Sequence, residues 1–327
     1  MSGVTLSPPP LVLVTDSEYR KAEDIFSSST PLLCRAAPSD EDALAAAISA
    51  QRARHVIVGH RPYRGALYAA LERGGVIARF GVGHEGIDKA QAAARGLICT
   101  NTPGVLDQSV AELTMLLVSA AARRFSALPP QLDADVWAPP VGLELKGKTL
   151  TLVGYGRIAR ATARIAARGF GMTVVGFRRA AGHSPDVDPD LARITNDFGD
   201  AVRGASFVCL HLPTTPETKS FVNRDRLAML EPDAWLINTA RGAVVDEAAL
   251  YDALAAGRLA GAALDVFVHE PYRPIDPSRD LRRLPNVILT PHVGSHTREA
   301  NRAMGARALE NIKLAEAGRF GEMDIVS

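Results

Sequence analysis

This 327-residue chain has few cysteines and almost no net charge, and each of these properties argues against a class of protein. The three cysteines, Cys34, Cys99 and Cys209, lie within or beside apolar segments and share no spacing typical of a metal site. We therefore predict buried, reduced thiols and no bound metal. The formal net charge of +1 gives no electrostatic basis for binding nucleic acid or an anionic membrane surface.

Long hydrophobic runs are also missing. Residues 1–10 contain no basic segment of the signal-peptide type, and the apolar run at 11–14 is too short for a signal peptide or a membrane span. We therefore expect a cytoplasmic protein with no membrane partner. Hydrophobic residues make up 47% of the chain and charged residues 22%, as in globular proteins, and the length is sufficient for two domains with buried cores.

Short β-rich runs alternate with alanine-rich helical stretches along most of the chain. The first strands are predicted at residues 11–15, 56–59, 76–80 and 98–100, with helices at 42–52 and 64–73. A longer helix follows at 107–123, with Leu116 and Leu117 among its predicted buried residues, and then a Pro-rich connection around Trp137. A second alternation runs from Leu150 to about Leu289, and the last helix, 298–317, is suited to packing on the first domain. The pattern predicts two parallel-sheet α/β domains.

A dinucleotide-binding fingerprint follows the predicted strand at 149–153. The sequence GYGRIA, beginning at Gly154, opens a helix, so the pattern stands in the strand–turn–helix context that it requires. Gly154 permits a tight turn, Gly156 lets the backbone approach a pyrophosphate, and Ala159 lets the helix pack closely on the strand. Arg157 and Ile158 begin the helix whose positive N-terminus would hold the pyrophosphate. We therefore predict a dinucleotide cofactor here.

Two arginines stand where the next strand, residues 172–177, is predicted to end. Enzymes that use NAD carry an acid at this position, because a carboxylate binds the ribose hydroxyls. Arg178 and Arg179 replace it, and a guanidinium can hold a 2′-phosphate through paired charge-assisted hydrogen bonds. The sequence therefore favours NADP(H) over NAD(H). Two exposed loop arginines that bind no ligand are the alternative.

Three polar clusters follow apolar runs in the last hundred residues. Arg241, Glu270 and His292 lie one in each cluster, after the runs 234–237, 262–264 and 287–289. Each cluster should begin where a buried strand ends, and the carboxyl ends of strands are where ligands bind in open α/β sheets. An arginine, a glutamate and a histidine at such an edge can serve as anion anchor, orienting acid and proton donor, which indicates an enzyme.

Ordered motifs extend over nearly the whole chain. They are Gly81-Val82-Gly83 with Ile87-Asp88, Asn101-Thr102-Pro103-Gly104 with Ala111-Glu112, the fingerprint, Leu210-His211-Leu212-Pro213 with Thr218, and the three polar clusters. Together they resemble the D-isomer-specific 2-hydroxyacid dehydrogenase family. The resemblance implies a flavodoxin-like substrate domain, residues 1–106 and 300–327, an inserted Rossmann dinucleotide-binding domain, residues 107–299, and a cleft between them. It also implies a homodimer, with the helix at 107–123 and the segment around Trp137 as candidate contacts.

The resemblance implies a role for each matching residue. Arg241, Glu270 and His292 correspond to the family's catalytic residues, and Arg241 and His292 would also bind the substrate. Val82 and Gly83 correspond to the loop whose backbone amides bind the substrate carboxylate, although a plain turn before the next helix is an alternative. The other matches would line the cofactor site: Pro213, Thr218, Thr239, Ala240, Asp265 and Gly294. For Asp265, the role of a buried structural acid is the alternative.

The chemistry of a 2-oxoacid supports the catalytic assignments independently. Such a substrate carries a carboxylate beside a ketone, so a planar guanidinium at Arg241 can bind the carboxylate and polarise the carbonyl. Hydride delivery to C2 leaves negative charge on oxygen, which needs a proton donor effective near neutral pH, and histidine suits that role. Glu270 beside His292 would orient the ring and favour its protonated form. The predicted function is reduction of a small 2-oxoacid, such as glyoxylate or hydroxypyruvate, by NADPH.

Two histidines depart from the family pattern. His84 stands where family members often carry an aliphatic residue, and His296 stands where a small residue is usual. They predict that the pocket for the substrate's acyl group is more polar than is usual in the family. The alternative is that they are surface residues without a role.

Other functions remain as alternatives. A 3-phosphoglycerate dehydrogenase would need extra cations for the phosphate, for which His60 and Arg61 are candidates. A formate dehydrogenase is disfavoured, because that branch has glutamine where this chain has Glu270. A corepressor-like binding protein uses the same scaffold as a dinucleotide-sensing module, and turnover on a panel of 2-oxoacids would separate it from an enzyme.

Overall fold

Each part of the chain is built on one parallel β-sheet. A computed structural model describes residues 9–179 and 188–327, and the chain divides into unit 1 (Met1–Leu106 and Ser295–Ser327) and unit 2 (Asp107–Gly294). The predicted fold class, two parallel-sheet α/β domains, is confirmed. In the described parts of the chain, no helix is long and apolar enough to cross a membrane.

Unit 1 contains a five-stranded sheet in the order β2-β1-β3-β4-β5. Its strands are β1 (Leu11–Thr15), β2 (Leu33–Ala37), β3 (His55–Val58), β4 (Val76–Arg79) and β5 (Ile98–Thr100). The helices between them are α1 (Asp16–Lys21), α2 (Glu23–Ser27), α3 (Glu41–Gln51), α4 (Ala66–Ala70) and α5 (Lys89–Ala94). Helices α3, α4 and α5 bury Leu44, Leu67 and Ala92 against one face of the sheet. The strand β3 is buried along its whole length, as expected for the centre of a parallel sheet.

Unit 2 contains a seven-stranded sheet in the order β12-β11-β10-β9-β6-β7-β8. Its strands are β6 (Thr149–Val153), β7 (Thr173–Phe177), β8 (Arg193–Thr195), β9 (Phe207–Leu210), β10 (Trp235–Asn238), β11 (Gly261–Leu264) and β12 (Val287–Leu289). Its helices are α6 (Asp107–Ala122), α7 (Leu128–Asp133), α8 (Arg157–Phe170), α9 (Phe198–Val202), α10 (Arg224–Leu227) and α11 (Glu247–Ala255). Helices α6 and α8 cover one face, and α9, α10 and α11 cover the other.

The strand order of unit 2 reverses between β6 and β9, which are hydrogen-bonded neighbours although they are far apart in sequence. A ligand crevice forms at such a reversal, outside the carboxyl ends of the strands. The fingerprint turn begins directly after β6, so it lies at this point of the sheet. The carboxyl ends of β10, β11 and β12 lie along the same edge.

The last helix of the chain, α12 (Arg298–Glu316), belongs to unit 1 and packs against β4. Beyond it, the C-terminal residues run antiparallel beside β5, the edge strand of that sheet. The Val326 amide donates to the Cys99 carbonyl (2.9 Å), and the Asn101 amide donates to the Asp324 carbonyl (3.2 Å). Four short 3-10 turns complete the described structure: Phe125–Ala127, Gly242–Val244, Leu281–Arg283 and Phe320–Glu322.

Several local predictions are confirmed and two are wrong. All three cysteines are buried thiols, and burial raises the pKa of Cys99 to about 11. Leu116 was predicted to be buried, but it is 60% exposed because it lies on the same face of α6 as the exposed Glu112, one turn earlier. The helix predicted at 64–73 extends only over α4, because Gly65 precedes it and an extended Leu71 ends it.

Candidate active site

Arg241 lies in a turn directly after β10, and two features hold that turn in place. The side chain of Asn238, the last residue of β10, donates from Nδ2 to the Arg241 carbonyl (2.9 Å) and accepts from the Ala240 amide at Oδ1 (3.0 Å). Gly242 lies so close to the turn after β11 that a Cβ atom there would be 1.9 Å from the carbonyl carbon of Phe267. The two turns therefore contact each other through their backbones, which only glycine allows.

Glu270 and His292 contact each other directly, although they follow different strands. One oxygen of the Glu270 carboxylate accepts from His292 Nδ1 (2.6 Å), and the other accepts from the Phe267 amide (3.1 Å). The side chains are 23% and 36% exposed, so a small molecule can reach the pair. A carboxylate at Nδ1 fixes the orientation of the imidazole ring and leaves Nε2 as the nitrogen that can exchange a proton with a substrate.

Asp265, at the end of β11, holds the loop that carries His292. The carboxylate is fully buried and accepts from the Thr290 hydroxyl (2.6 Å) and from the amides of Val293 (2.9 Å) and Gly294 (2.9 Å). The Asp265 carbonyl accepts from the His292 amide (2.8 Å). Burial raises the pKa of the Asp265 carboxyl, and the three hydrogen bonds oppose that effect. Both carboxylate oxygens are thus engaged within unit 2.

A second buried acid, Glu247, lies behind the loop that carries Glu270. Glu247 is the first residue of α11 and is only 7% exposed. Its carboxylate accepts from the Val268 amide (2.7 Å), two residues before Glu270. Burial raises the pKa of Glu247, so its hydrogen bond to the loop is made in a poorly solvated environment. Glu247 was not predicted as a site residue, because an acid at the start of a helix is a common pattern with no functional meaning.

The fingerprint turn has the geometry that a pyrophosphate requires. Gly154 has φ +97°, and a Cβ atom there would be 2.8 Å from the His211 carbonyl oxygen, so the protein itself requires glycine at this position. At Gly156, by contrast, a Cβ atom would meet nothing within 4 Å. Gly156 is the N-cap of the 14-residue helix α8 and provides no side-chain cap. The open space above Gly156 and the uncapped helix N-terminus fit an anionic ligand.

Arg178 and Arg179 follow β7, next to that turn. The Phe177 carbonyl accepts from the amides of Gly154 (3.0 Å) and Tyr155 (3.1 Å), which ties the end of β7 to the fingerprint. Arg178 is partly buried and Arg179 is exposed. Two arginines therefore follow the strand whose end is bonded to the cofactor turn. Arg157, also predicted for the cofactor, directs its side chain to Asp107, where Nε is 2.9 Å from the carboxylate. At Arg157 and Ile158, therefore, the backbone N–H groups are the candidates for contact with a pyrophosphate.

Other predicted cofactor residues lie in the turns after β9 and β10. Thr218 Oγ1 donates to the Pro213 carbonyl (2.5 Å) and accepts from the Thr215 amide (2.7 Å), which closes the turn after β9. Thr239 is buried, and its hydroxyl is 2.8 Å from that of Thr114 on α6. The threonine side chains therefore shape these turns, and contact with a ligand would come from the backbone around them.

The predicted substrate loop, with Val82 and Gly83, lies in unit 1 after β4. Its carbonyl groups are bonded within the unit: Asn101 Nδ2, for example, donates to the Val82 carbonyl (2.8 Å). Within the described residues, the amides of Val82 and Gly83 donate to no protein acceptor. His84, the next residue, has Nδ1 3.3 Å from Lys89 Nζ, so this loop has a cationic neighbour. The described residues contain no group of acids, histidines and cysteines that could hold a metal ion.

Known proteins resemble the chain over both units. Residues 115–294 match the family model described as D-isomer specific 2-hydroxyacid dehydrogenase, NAD binding domain. The glyoxylate reductase of Thermococcus litoralis is 39% identical over 246 residues, which is 72% of this chain and 72% of that protein. The D-3-phosphoglycerate dehydrogenase of Methanocaldococcus jannaschii is 38% identical over 254 residues, which is 76% of this chain and 46% of that protein.

A solved structure is similar throughout. It is the crystal structure of an NADPH-dependent glyoxylate/hydroxypyruvate reductase from Sinorhizobium meliloti in complex with NADP and malonate. The two proteins are 31% identical, with a TM-score of 0.80, and the similarity covers 98% of this chain and 97% of the other.

Proposed function

Since this chain belongs to the D-isomer specific 2-hydroxyacid dehydrogenase family, we propose that it reduces glyoxylate or hydroxypyruvate to the 2-hydroxyacid with NADPH. The chain is an oxidoreductase of the 2-hydroxyacid type; its substrate and its coenzyme preference are the proposal. The observation that carries it is the 2.6 Å contact between His292 Nδ1 and Glu270, next to the turn that presents Arg241. The names of the Thermococcus and Sinorhizobium relatives support these substrates.

His292 is the proposed proton donor. Glu270 holds the ring through Nδ1, and in the protonated ring Nε2 can donate to the oxygen that was the substrate carbonyl. As that oxygen gains negative charge during reduction, the proton moves to it from Nε2, and the ring becomes neutral. Solvent can restore the proton, because the ring is 36% exposed.

Arg241 is the proposed anchor for the substrate. Its Nη1 donates to the Ala240 carbonyl (2.6 Å), which holds the guanidinium close to the turn after β10. A guanidinium has five N–H donors, so this bond is compatible with a bidentate bond to a carboxylate. Such a bond would hold the 2-oxoacid with its keto oxygen also directed towards the Arg241 guanidinium.

The residues of unit 2 fit a nicotinamide dinucleotide, which when bound supplies the hydride that adds to C2 of the oxoacid. The open space at Gly156 and the uncapped N-terminus of α8 would hold the pyrophosphate. Arg178 and Arg179 would hold the 2′-phosphate of NADPH. We assign the cofactor to the domain at 107–299, and by the family resemblance we assign the backbone amides of Val82 and Gly83 to the substrate carboxylate as well.

A change at Arg178 tests the coenzyme preference. In the Arg178→Asp variant, a carboxylate would repel the 2′-phosphate and accept hydrogen bonds from ribose hydroxyls. We expect the ratio of kcat/KM with NADPH to that with NADH to fall by about ten- to a hundredfold. Arg164→Asp, an exposed change on α8, is the control. A ratio that does not change, or a wild-type enzyme that is more efficient with NADH, contradicts the NADP assignment.

A 3-phosphoglycerate dehydrogenase-like activity is the second candidate. The Methanocaldococcus relative carries that name, and the Lys89 ammonium next to His84 adds positive charge near the proposed substrate loop. The charge would suit a substrate with a second anionic group.

Steady-state kinetics on a panel of oxoacids tests the function itself. The panel is glyoxylate, hydroxypyruvate, pyruvate, a phenyl-substituted 2-oxoacid and phosphohydroxypyruvate, each with NADPH and with NADH. We expect the highest kcat/KM with glyoxylate or hydroxypyruvate. His292→Ala should lower kcat by about a hundred- to ten-thousandfold and leave NADPH binding intact. Negligible turnover on every substrate would instead favour a dinucleotide-sensing binding protein.

A further inference from the structure

The backbone of residues 80–83 in unit 1 accepts hydrogen bonds from an arginine of the same unit. Arg79, the last residue of β4, turns its guanidinium back towards the loop that follows it. Nε donates to the Gly83 carbonyl (2.8 Å), and Nη1 donates to the Phe80 carbonyl. The guanidinium also lies close to Gly81, where a Cβ atom would be 3.0 Å from Nη1. One side chain therefore contacts both ends of a four-residue segment.

The two carbonyls between those ends are bonded as well. The Thr102 amide donates to the Gly81 carbonyl (3.0 Å), and Asn101 Nδ2 donates to the Val82 carbonyl (2.8 Å). The Gly81 amide is also held, because it donates to Thr102 Oγ1 (3.0 Å). Gly81 has φ +137°, a conformation that other residues rarely adopt. The carbonyls of all four residues 80–83 thus accept from donors within unit 1, and those of Gly81 and Val82 point towards the buried Thr102 and Asn101.

The direction of these carbonyls determines the direction of the amides. In a planar trans peptide the C=O and N–H groups point opposite ways. The inward carbonyls of Gly81 and Val82 therefore turn the N–H groups of Val82 and Gly83 outward, where neither finds an acceptor among the described residues. Successive outward N–H groups form a concave site for an anion.

We propose that Arg79 is a positioning residue for the substrate carboxylate, acting through this loop. The inference rests on the proposed function and deepens it. Arg79 holds the carbonyls of Phe80 and Gly83 with the planar fork of its guanidinium, so that the outward amides are fixed before the substrate arrives. Its positive charge, next to the loop, adds attraction for a carboxylate at the outward amides. Asn101 supports the same loop without a charge.

The effect of Arg79→Gln is measured in three quantities: KM for glyoxylate, kcat, and the dissociation constant of oxalate, a carboxylate that cannot be reduced. We expect KM and the oxalate constant to rise together by about ten- to a hundredfold, the loss expected for hydrogen bonds to a charged group. We expect kcat to change less than threefold, and the dissociation constant of NADPH to remain unchanged. Arg35→Gln, an exposed arginine of unit 1 bonded to Gln51, is the matched control.

Two more variants separate positioning from charge and from misfolding. In Arg79→Lys the charge is kept but the fork is lost, so KM should remain raised; a wild-type KM in this variant overturns the proposal. Asn101→Ala removes a single uncharged donor, and we expect KM to rise about three- to tenfold. Unchanged KM in both Arg79→Gln and Asn101→Ala also overturns the proposal.

Failure of the inference differs from failure of the proposed function. If the wild-type protein binds oxalate through Arg79 but reduces no oxoacid, the function is wrong and the positioning role holds. If it reduces glyoxylate and Arg79→Gln leaves both constants unchanged, the function holds and the positioning role is wrong. If it neither binds oxalate nor reduces an oxoacid, both are wrong.

Discussion

His292 has a left-handed backbone conformation, with φ +53°, which is uncommon for any residue other than glycine. Strained conformations of this kind cluster at functional sites and persist only where the surrounding structure holds them. The hydrogen bonds from Thr290, Val293 and Gly294 to Asp265 do that here. At the scale of single residues, the orientation of His292, the proposed proton donor, therefore depends on Asp265, a buried acid that holds its loop.

Replacing Asp265 with Asn tests this dependence. An amide NH2 would replace one of the oxygens that accept from the Val293 and Gly294 amides, so a buried donor would face another donor. We expect kcat for glyoxylate to fall at least tenfold and stability to fall by about 1–3 kcal/mol, while NADPH affinity changes little. The measurements are steady-state kinetics, NADPH titration and urea denaturation.

Thr290→Val is the matched control for that substitution, because it removes one donor and leaves the acid in place. Its effect on kcat should be smaller. Loss of NADPH binding in Asp265→Asn, with kcat unchanged at saturating coenzyme, would contradict the role as loop anchor and favour a direct contact with the cofactor.

The site residues that can be predicted from the sequence are those with a local sequence pattern. Gly154 and Gly156 lie in a spaced pattern after a strand, and Arg241, Glu270 and His292 lie in motifs at strand ends. The supporting residues Arg79 and Glu247 carry no such signal. Their partners are backbone groups, and in the case of Glu247 the partner belongs to another segment of the chain. Only the folded chain defines those contacts.

At the scale of helices and strands, the predictions succeeded where a segment is buried on both faces. The runs that form the inner strands β1 and β6 were located correctly, because dense apolar residues mark an inner parallel strand. The strand β2 was not predicted: it lies at the edge of its sheet, and three of its five residues, including Leu33, are exposed. Leu116 was misplaced for a related reason, since composition alone does not say which face of an apolar helix meets the core.

The contact between β3 and α12 contains a titratable group. His55, fully buried, accepts at Nδ1 from the Val76 amide (3.1 Å), and its Nε2 is 3.2 Å from the Glu316 carboxylate on α12. Arg54 Nε also donates to Glu316 (2.8 Å). Burial, together with the charge of Arg54, lowers the pKa of His55 to about 4 and outweighs the opposing effect of Glu316. His55 is therefore neutral in the folded protein at neutral pH.

The lowered pKa of His55 predicts a loss of stability in acid. The unfolded chain takes up a proton near the ordinary pKa of 6.5, whereas the folded chain does so only near 4. Unfolding is therefore favoured as pH falls between these values, by roughly 3 kcal/mol over the whole range. His55→Gln keeps a donor and an acceptor without titrating, so its stability should depend less on pH.

Urea denaturation at pH 7 and pH 5 measures that difference. His296→Gln, a change at an exposed histidine, is the control and should keep the wild-type dependence on pH. An equal loss of stability in wild type and His55→Gln between the two values would contradict the assignment.

At the scale of the whole molecule, unit 2 exposes many large apolar side chains in one stretch of the sequence. They are Leu116 (60%), Phe125 (57%), Leu132 (61%), Trp137 (87%) and Val141 (89%). Exposed apolar residues that are close in sequence are unusual on a monomer and mark interaction surfaces. These side chains lie in or beside the two segments that the family resemblance gives as candidate dimer contacts, the helix at 107–123 and the segment around Trp137. We therefore propose that a second copy of the chain covers them.

Sedimentation at micromolar concentration tests the homodimer. We expect the wild-type protein to sediment as a dimer, and a variant with both Leu116→Arg and Trp137→Arg to sediment as a monomer, because two charges would be buried in the interface. Met229→Arg changes another exposed apolar residue of unit 2 and should leave the dimer intact. A monomeric wild-type protein would contradict the proposal.

The antiparallel pairing of residues 324–326 with β5 has a practical consequence for handling the protein. An uncovered edge strand offers a row of unpaired amides and carbonyls to which other chains can add, and aggregation follows. Here the Val326 and Asp324 bonds occupy part of that row. Deleting or displacing these residues would expose the edge, so we expect a recombinant product that lacks them to aggregate more readily.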